Sequence, residues 1–203
     1  MFIQLIQGRP ADAGELRSAL GRWARELSPG APGWLGTTAG LTEDGQFVAV
    51  VRFASREAAQ RNADRPEQTQ WWIETAKLFA GEVVFHDCVR VHQYLDGGSD
   101  SAGFVQVIQG RTRDPERMSE IVRRTERDLA AFRPDLIGGI IALHEADGYT
   151  ETAYFTSEKE AREGERKQPP PELRGPLEEW MGLFEGRPAY VDLREPWLYS
   201  PGA

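Results

Sequence analysis

The sequence predicts an α+β protein made of two tandem copies of one β-α-β-β-α-β unit. Three observations predict it: an octapeptide that recurs, a repeated order of cap and turn signals, and a hairpin signal at matching places in each half. Self-similarity is decisive, because an internal repeat fixes the architecture before any single element is assigned. Phe2-Ile3-Gln4-Leu5-Ile6-Gln7-Gly8-Arg9 reappears 102 residues later as Phe104-Val105-Gln106-Val107-Ile108-Gln109-Gly110-Arg111, with six of eight positions identical. The offset persists from Asp12 and Asp114 through Leu16 and Met118, Gly36 and Gly138, and Phe53 and Phe155, to Ser55 and Ser157. It slips to 105 for Phe79 and Phe184, Gly81 and Gly186, and Asp87 and Asp192, as short loop insertions would cause.

The opening octapeptide is apolar and β-branched and ends at a turn, which reads as a strand. Asp12 and Asp114 are placed as helix N-caps; Glu15 completes a box-like spacing, and Pro115 takes the first helical position. Leu16, Leu20, Trp23 and Leu27 then recur on one helical face, matched by Met118, Ile121, Val122, Thr125, Leu129 and Phe132. Asp44-Gly45 and Asp147-Gly148 lie between strand-like runs and signal hairpins. Gly138-Gly139, facing Gly36-Thr37 in the first half, reads as a bulge or close approach. A second helix begins at Ser55 and Ser157 and breaks at Pro66 and at Pro169-Pro170-Pro171. One last strand is expected at about 82–95 and again at 187–198.

This order is the ferredoxin-like, or split βαβ, motif. The expected division is a first repeat over 1–95, a polar glycine-rich linker over 96–103 and a second repeat over 104–203. Such a sheet carries helices on one face only, so the two sheets are expected to pack together, with the linker crossing between them. The duplicated unit, with its Asp-Gly hairpin and broken second helix, resembles the dimeric α+β barrel superfamily, and within it the antibiotic-biosynthesis-monooxygenase-like domains. The resemblance spans nearly the whole chain. It implies two antiparallel sheets closed into one intrachain barrel, a pseudo-dimer in a single chain, with a further homodimer left open. It also implies a choice among cofactor-independent oxygenases of polyketide anthrones, heme-degrading enzymes and proteins without chemistry, which fold cannot decide.

Composition narrows the partners. The net charge of −8, from 24 basic and 32 acidic residues, argues against a nucleic-acid backbone as partner. The helix segment Arg123-Arg124-Thr125-Glu126-Arg127-Asp128 alternates in sign, as a solvated face does. Cys88 is the single cysteine, so neither a disulfide framework nor a cysteine-based zinc site is expected. No secretion signal or membrane span is read, and a cytoplasmic protein is expected.

Strand alternation suggests a ligand pocket. Ile3, Leu5, Val105 and Val107 make a purely apolar face, assigned to packing under the helices, whereas the mixed faces are assigned to a cavity. The expected substrate-binding set is Gln4, Arg52, His86, Gln106 and Tyr154. His86 is the candidate catalytic residue, since imidazole titrates near neutrality. The alternatives are that Gln4 and Gln106 bond to each other across an internal two-fold axis, and that His86 is satisfied by a neighbour. His86 and His92, on one strand and roughly 20 Å apart, cannot share a metal ion. His144, in the second hairpin, is expected in solvent, and only one of Trp71 and Trp72 is expected in the core. Heme-degrading relatives use an asparagine, a tryptophan and a helical histidine; Asn62 and Trp71 or Trp72 match the first two, but no histidine follows on that helix.

The expected function is therefore binding of a small aromatic or polyketide-type molecule. Cofactor-independent oxygenation would proceed with His86 or Arg52 assisting deprotonation, and no metal or cofactor is called for. A non-catalytic interaction protein and a heme binder are the alternatives.

Overall fold

Each strand and helix starts where the local chemistry demands. The computed structural model describes residues 1–144 and 147–202; Glu145 and Ala146, in the expected second hairpin, lie outside them. The elements run β1 (Phe2–Gly8), α1 (Ala13–Glu26), β2 (Trp34–Leu41), β3 (Phe47–Phe53), α2 (Arg56–Ala63), α3 (Pro66–Ala76), β4 (Val84–Cys88) and β5 (Arg90–Leu95). They continue β6 (Phe104–Arg111), α4 (Pro115–Phe132), β7 (Leu136–His144), β8 (Gly148–Phe155), α5 (Glu158–Glu165), α6 (Pro171–Gly182), β9 (Ala189–Leu193) and β10 (Trp197–Tyr199). Asp12 caps α1 through the Glu15 amide, and Asp114 caps α4 through the Arg117 amide, both at 2.9 Å. Ser55 and Ser157 cap α2 and α5 in the same way at 3.2 Å. Each such cap is worth about 1 kcal/mol. The prolines split the second helix of each repeat, as the sequence predicts.

The protein is mixed α+β, with two five-stranded antiparallel sheets and six α-helices among the described residues. The sheet orders are β10-β2-β3-β1-β4 and β5-β7-β8-β6-β9, identical once equivalent strands are matched. Both sheets carry the same irregularity, a register shift between Trp34 and Gly36 and between Leu136 and Gly138.

The last strand of each repeat departs from expectation. The stretch expected over 82–95 breaks at Val89 into β4, which joins β1, and β5, which joins β7 of the other sheet. The matching stretch over 187–198 breaks before Pro196 into β9, which joins β6, and β10, which joins β2. Two compact units result: unit 1 is residues 1–89 with the stretch from Glu195 onward, and unit 2 is 90–194. The units therefore do not coincide with the sequence repeats. Residues 96–103, expected to cross between sheets, instead connect β5 to β6 inside one sheet.

In unit 1 the helices cover the face of the sheet bearing Ala39, Phe47 and Ala49, which pack with Leu16 of α1 and with Phe79 and Trp197. A second cluster joins Phe2, Trp23, Trp34, Phe53 and Ala58. Burying each large side chain of this kind contributes roughly 1.5–3 kcal/mol. The expected assignment of faces is reversed. Ile3, Leu5, Val48 and Val50 are buried on the face turned away from the helices, while Gln4 and Ile6 look toward them.

Candidate functional site

The helices of unit 1 do not fill their side of the sheet. A cavity of about 340 Å³ remains between α1, α2, α3 and the strands β1, β2 and β3. This lies within the range of small-molecule sites. Ala49 gives a small floor; Phe47, Phe53, Trp23, Trp71 and Trp72 give aromatic walls. Ile73 and Phe85 line it while 49% and 42% exposed, so they form its mouth.

The helix break at Pro66 builds the polar part. Arg65, directly before it, donates through Nη1 to the Leu27 carbonyl at 3.1 Å and to Asn62 Oδ1 at 3.0 Å. That holds Asn62, only 5% exposed, at the wall. Trp23 lies edge-on to Trp34, with centroids 5.1 Å apart, and donates its indole N–H to Gln68 Oε1 at 2.5 Å. Gln4 donates from Nε2 to Asp87 Oδ1 at 3.2 Å.

These bonds fix the orientation of three amides. Indole and guanidinium groups only donate, and a carboxylate only accepts. Among the described residues Gln4 therefore keeps its carbonyl oxygen free, and Asn62 and Gln68 keep their NH2 groups free, all three residues lining the cavity. The lining residues carry no formal charge. The site can hold a neutral ring system that offers one hydrogen-bond donor and one or two acceptors.

Of the residues expected from the sequence, only Gln4 reaches this cavity. His86 sits opposite Leu5, and Arg52 opposite Ile3, so both belong to the face turned away from the helices. Arg52 is 6% exposed, with a buried Nε that lacks a partner among the described residues. Gln106 and Tyr154 belong to unit 2, again on opposite faces of their sheet. Gln106 donates to Asp192 at 3.0 Å, repeating the Gln4–Asp87 pair inside its own sheet. His86 and His92 lie on different strands of different sheets, and His144 is half-buried, with Nε2 3.2 Å from Thr150 Oγ1.

Trp71 and Trp72 both line the cavity, contrary to the expectation of one. Their rings, 6.1 Å apart, are wide enough to bridge the 100° between adjacent helical positions. Sequence reasoning missed Trp23, Asn62 and Gln68 as a set. A usable signal existed: Trp23 and Asn62 face Thr125 and Gly164 at the same offset, a divergence that common packing does not require.

No family model matches the sequence, and no curated protein matches it. Solved structures do. A "putative monooxygenase" from Lactobacillus acidophilus NCFM is 13% identical, with 98% of this chain and 95% of that one covered at a TM-score of 0.77. A second protein so described, from Fusobacterium nucleatum, is 9% identical, with 99% and 94% covered at 0.76. The chain has the tandem fold of these monooxygenase-like proteins. An "anthrone oxidase-like protein" shares it at 10% identity, with 100% and 94% covered and a TM-score of 0.66. The tandem ferredoxin-like, monooxygenase-like fold expected from the repeat is thus the fold observed. Among the described residues no helix is long and apolar enough to cross a membrane.

Proposed function

We propose that unit 1 binds an uncharged, planar aromatic compound in its helix-sheet cavity, in keeping with the small-molecule fold shared with monooxygenase-like proteins. The observation that carries this reading is the trio of orientation-locked amides in a charge-free enclosure otherwise lined by aromatic and aliphatic side chains and three threonines. A hydroxyl on the ligand would donate to Gln4 Oε1, and a ring carbonyl would accept from Gln68 and Asn62. Oxygenation without a cofactor would then depend on the ligand's own acidity. The lining holds no general base, and His86 and Arg52 lie on the other face of the sheet.

The test is titration with dihydroxyanthrone, read by quenching of tryptophan fluorescence and, separately, by oxygen uptake. Saturable quenching that disappears in Ala49→Leu supports the site. Quenching indifferent to Ala49→Leu overturns it. Saturable binding without oxygen uptake would make the protein a binder only, the non-catalytic alternative.

A further inference from the structure

The outer side of α1 carries charge against the trend of the chain. The sequence is acidic overall, at −8, yet Arg17, Arg22 and Arg25 border one open cleft that no acid lines. Arg17, Gly21 and Arg25 follow at intervals of four and stand in one row along the helix, with Arg22 beside them. Strand β10, which belongs to the same unit, forms the other side. Trp197 and Tyr199 alternate onto one face of that strand. Arg17 lies over the Trp197 ring at 5.6 Å. A Cβ on Gly21 would stand 3.3 Å from Arg25 Nη1 and 3.9 Å from Tyr199 Oη, so guanidinium and phenol hydroxyl converge above this glycine. The cleft they enclose measures about 500 Å³ and is completed by Ser18.

These arginines have no partner of their own. Among the described residues none of the three makes an ion pair or a hydrogen bond. Arg22 and Arg25, three residues apart on a helix, repel each other. Arg25 suits the negative end of α1, whereas Arg17 and Arg22 have no such compensation. The equivalent helix of unit 2 solves the same problem internally. Arg124, which matches Arg22 at the repeat offset, pairs with Glu179 at 3.3 Å, and Arg117 pairs with Glu120 and Glu179. Burial keeps the Tyr199 phenol above its ordinary range against the pull of Arg17 and Arg25, so near neutral pH it stands ready to donate.

The geometry also selects the anion. A cleft lined by one sign of charge draws in counter-ions. A carboxylate brings one charge and two oxygens, enough for a single guanidinium fork. A phosphate monoester brings nearly two charges and three acceptor oxygens, which suits several forks and a hydroxyl at once. Past Gly21, Arg25 and Tyr199 the cleft continues into a second hollow of about 640 Å³, where Ala24, Pro29, Ala31, Leu198 and Pro201 offer apolar surface. That continuation suits the carbon body of an ester and gives nothing to a bare ion.

We propose that the cleft between α1 and β10 binds the phosphate monoester of a small apolar alcohol or phenol. The phosphate oxygens accept from Arg17, Arg22, Arg25 and the Tyr199 hydroxyl, and the carbon body lies along Ala24 and Leu198. This site shares no lining residue with the helix-sheet cavity and does not depend on the ligand proposed there.

The experiment is calorimetric titration of the full chain with phenyl phosphate at neutral pH, beside benzoate and inorganic phosphate at matched ionic strength. One phenyl phosphate per chain should bind saturably, more tightly than either comparison. Arg17→Gln and Arg25→Gln should each weaken it about tenfold, the loss of one charge-assisted pair. Arg25→Lys should recover part of that loss, since the charge returns without the fork. All three arginines are exposed, and an unchanged melting temperature checks that the variants fold. Lys77→Gln removes an exposed positive charge outside the cleft and should leave binding as it was. The proposal is overturned by equal binding in wild type and the Arg17→Gln/Arg25→Gln double variant, by an equal loss in Lys77→Gln, or by no saturable binding in the millimolar range. Benzoate binding as tightly as phenyl phosphate would overturn the choice of phosphate, and inorganic phosphate doing so would overturn the ester.

Discussion

Trp23 donates its indole N–H to Gln68 Oε1 across 2.5 Å, and this single bond decides which end of the Gln68 amide faces the cavity. The bond joins α1 to α3, so the recognition chemistry of the site is tied to the packing of two helices. A substitution that keeps the acceptor and removes the free donor separates those roles.

Gln68→Glu is that substitution. The indole keeps an acceptor, so the melting temperature should move little. The free NH2 is replaced by an oxygen in a charge-free enclosure. A carbonyl-bearing ligand should lose about 1–3 kcal/mol of affinity, roughly fivefold to more than a hundredfold. Fluorescence titration alongside a thermal melt checks both halves.

Ala49→Leu should fill the floor of the cavity. Ala49 is almost fully buried, and the added carbons enter existing space, so stability should hold or rise. Ligand binding should vanish. A marked fall in melting temperature would show instead that the floor is already packed.

The Cys88 thiol is pushed up to about 12 by burial, with the neighbouring Asp87 charge adding to the effect. The thiolate is the reactive species. Native protein at about pH 8 should therefore resist a thiol-specific disulfide reagent, whereas denatured protein should react stoichiometrically, near the ordinary thiol pKa. Fast reaction in the native state would contradict the buried position of this residue.

Burial also raises the Glu151 carboxyl above its ordinary range, the Tyr94 hydrogen bond opposing only part of the effect. The folded state thus holds this proton more tightly than the unfolded chain does. Its contribution is intact below the ordinary carboxylate pKa and declines as pH rises through the raised folded value. Glu151→Gln should be more stable than wild type at neutral pH, and the difference should narrow toward acid. Urea melts at several pH values would show it; parallel profiles would refute the assignment.

A fragment spanning 1–96 keeps β5 without β7 and leaves β2 without β10. It should self-associate through exposed strand edges. Sedimentation would reveal a well-behaved monomer if that expectation is wrong.

Much of the fold was legible because its signals are local. Asp12, Asp114, Ser55 and Ser157 cap helices through bonds three residues away, and Pro66 breaks one whatever surrounds it. The recurring octapeptide then set the element order. The exchange of β5 and β10 was not legible, since a strand carries no mark of which sheet will pair with it. The reading of faces failed for a related reason. Gln4 and Ile6, half-buried, alternate with Ile3 and Leu5, fully buried, and neither set faces open solvent, so polarity could not say which one the helices cover. Arg52 and His86 were grouped with Gln4 on that basis. Gln68 became meaningful only through Trp23, a partner 45 residues away on another helix, and Asn62 only once Arg65, three residues on, was seen to hold it at a cavity wall.

The pairing of β10 with β2 also orders events in time. During synthesis, the first repeat leaves the ribosome with its sheet one strand short, and that strand is encoded more than a hundred residues later. Trp197, which packs against Phe47 at 6.0 Å, arrives with it. Unit 2 has all of its strands once Leu193 has emerged, so the nascent chain can finish its second sheet before its first. The helix-sheet cavity of unit 1, one wall of which is the Phe47 ring that Trp197 packs against, would then be among the last parts of the molecule to settle.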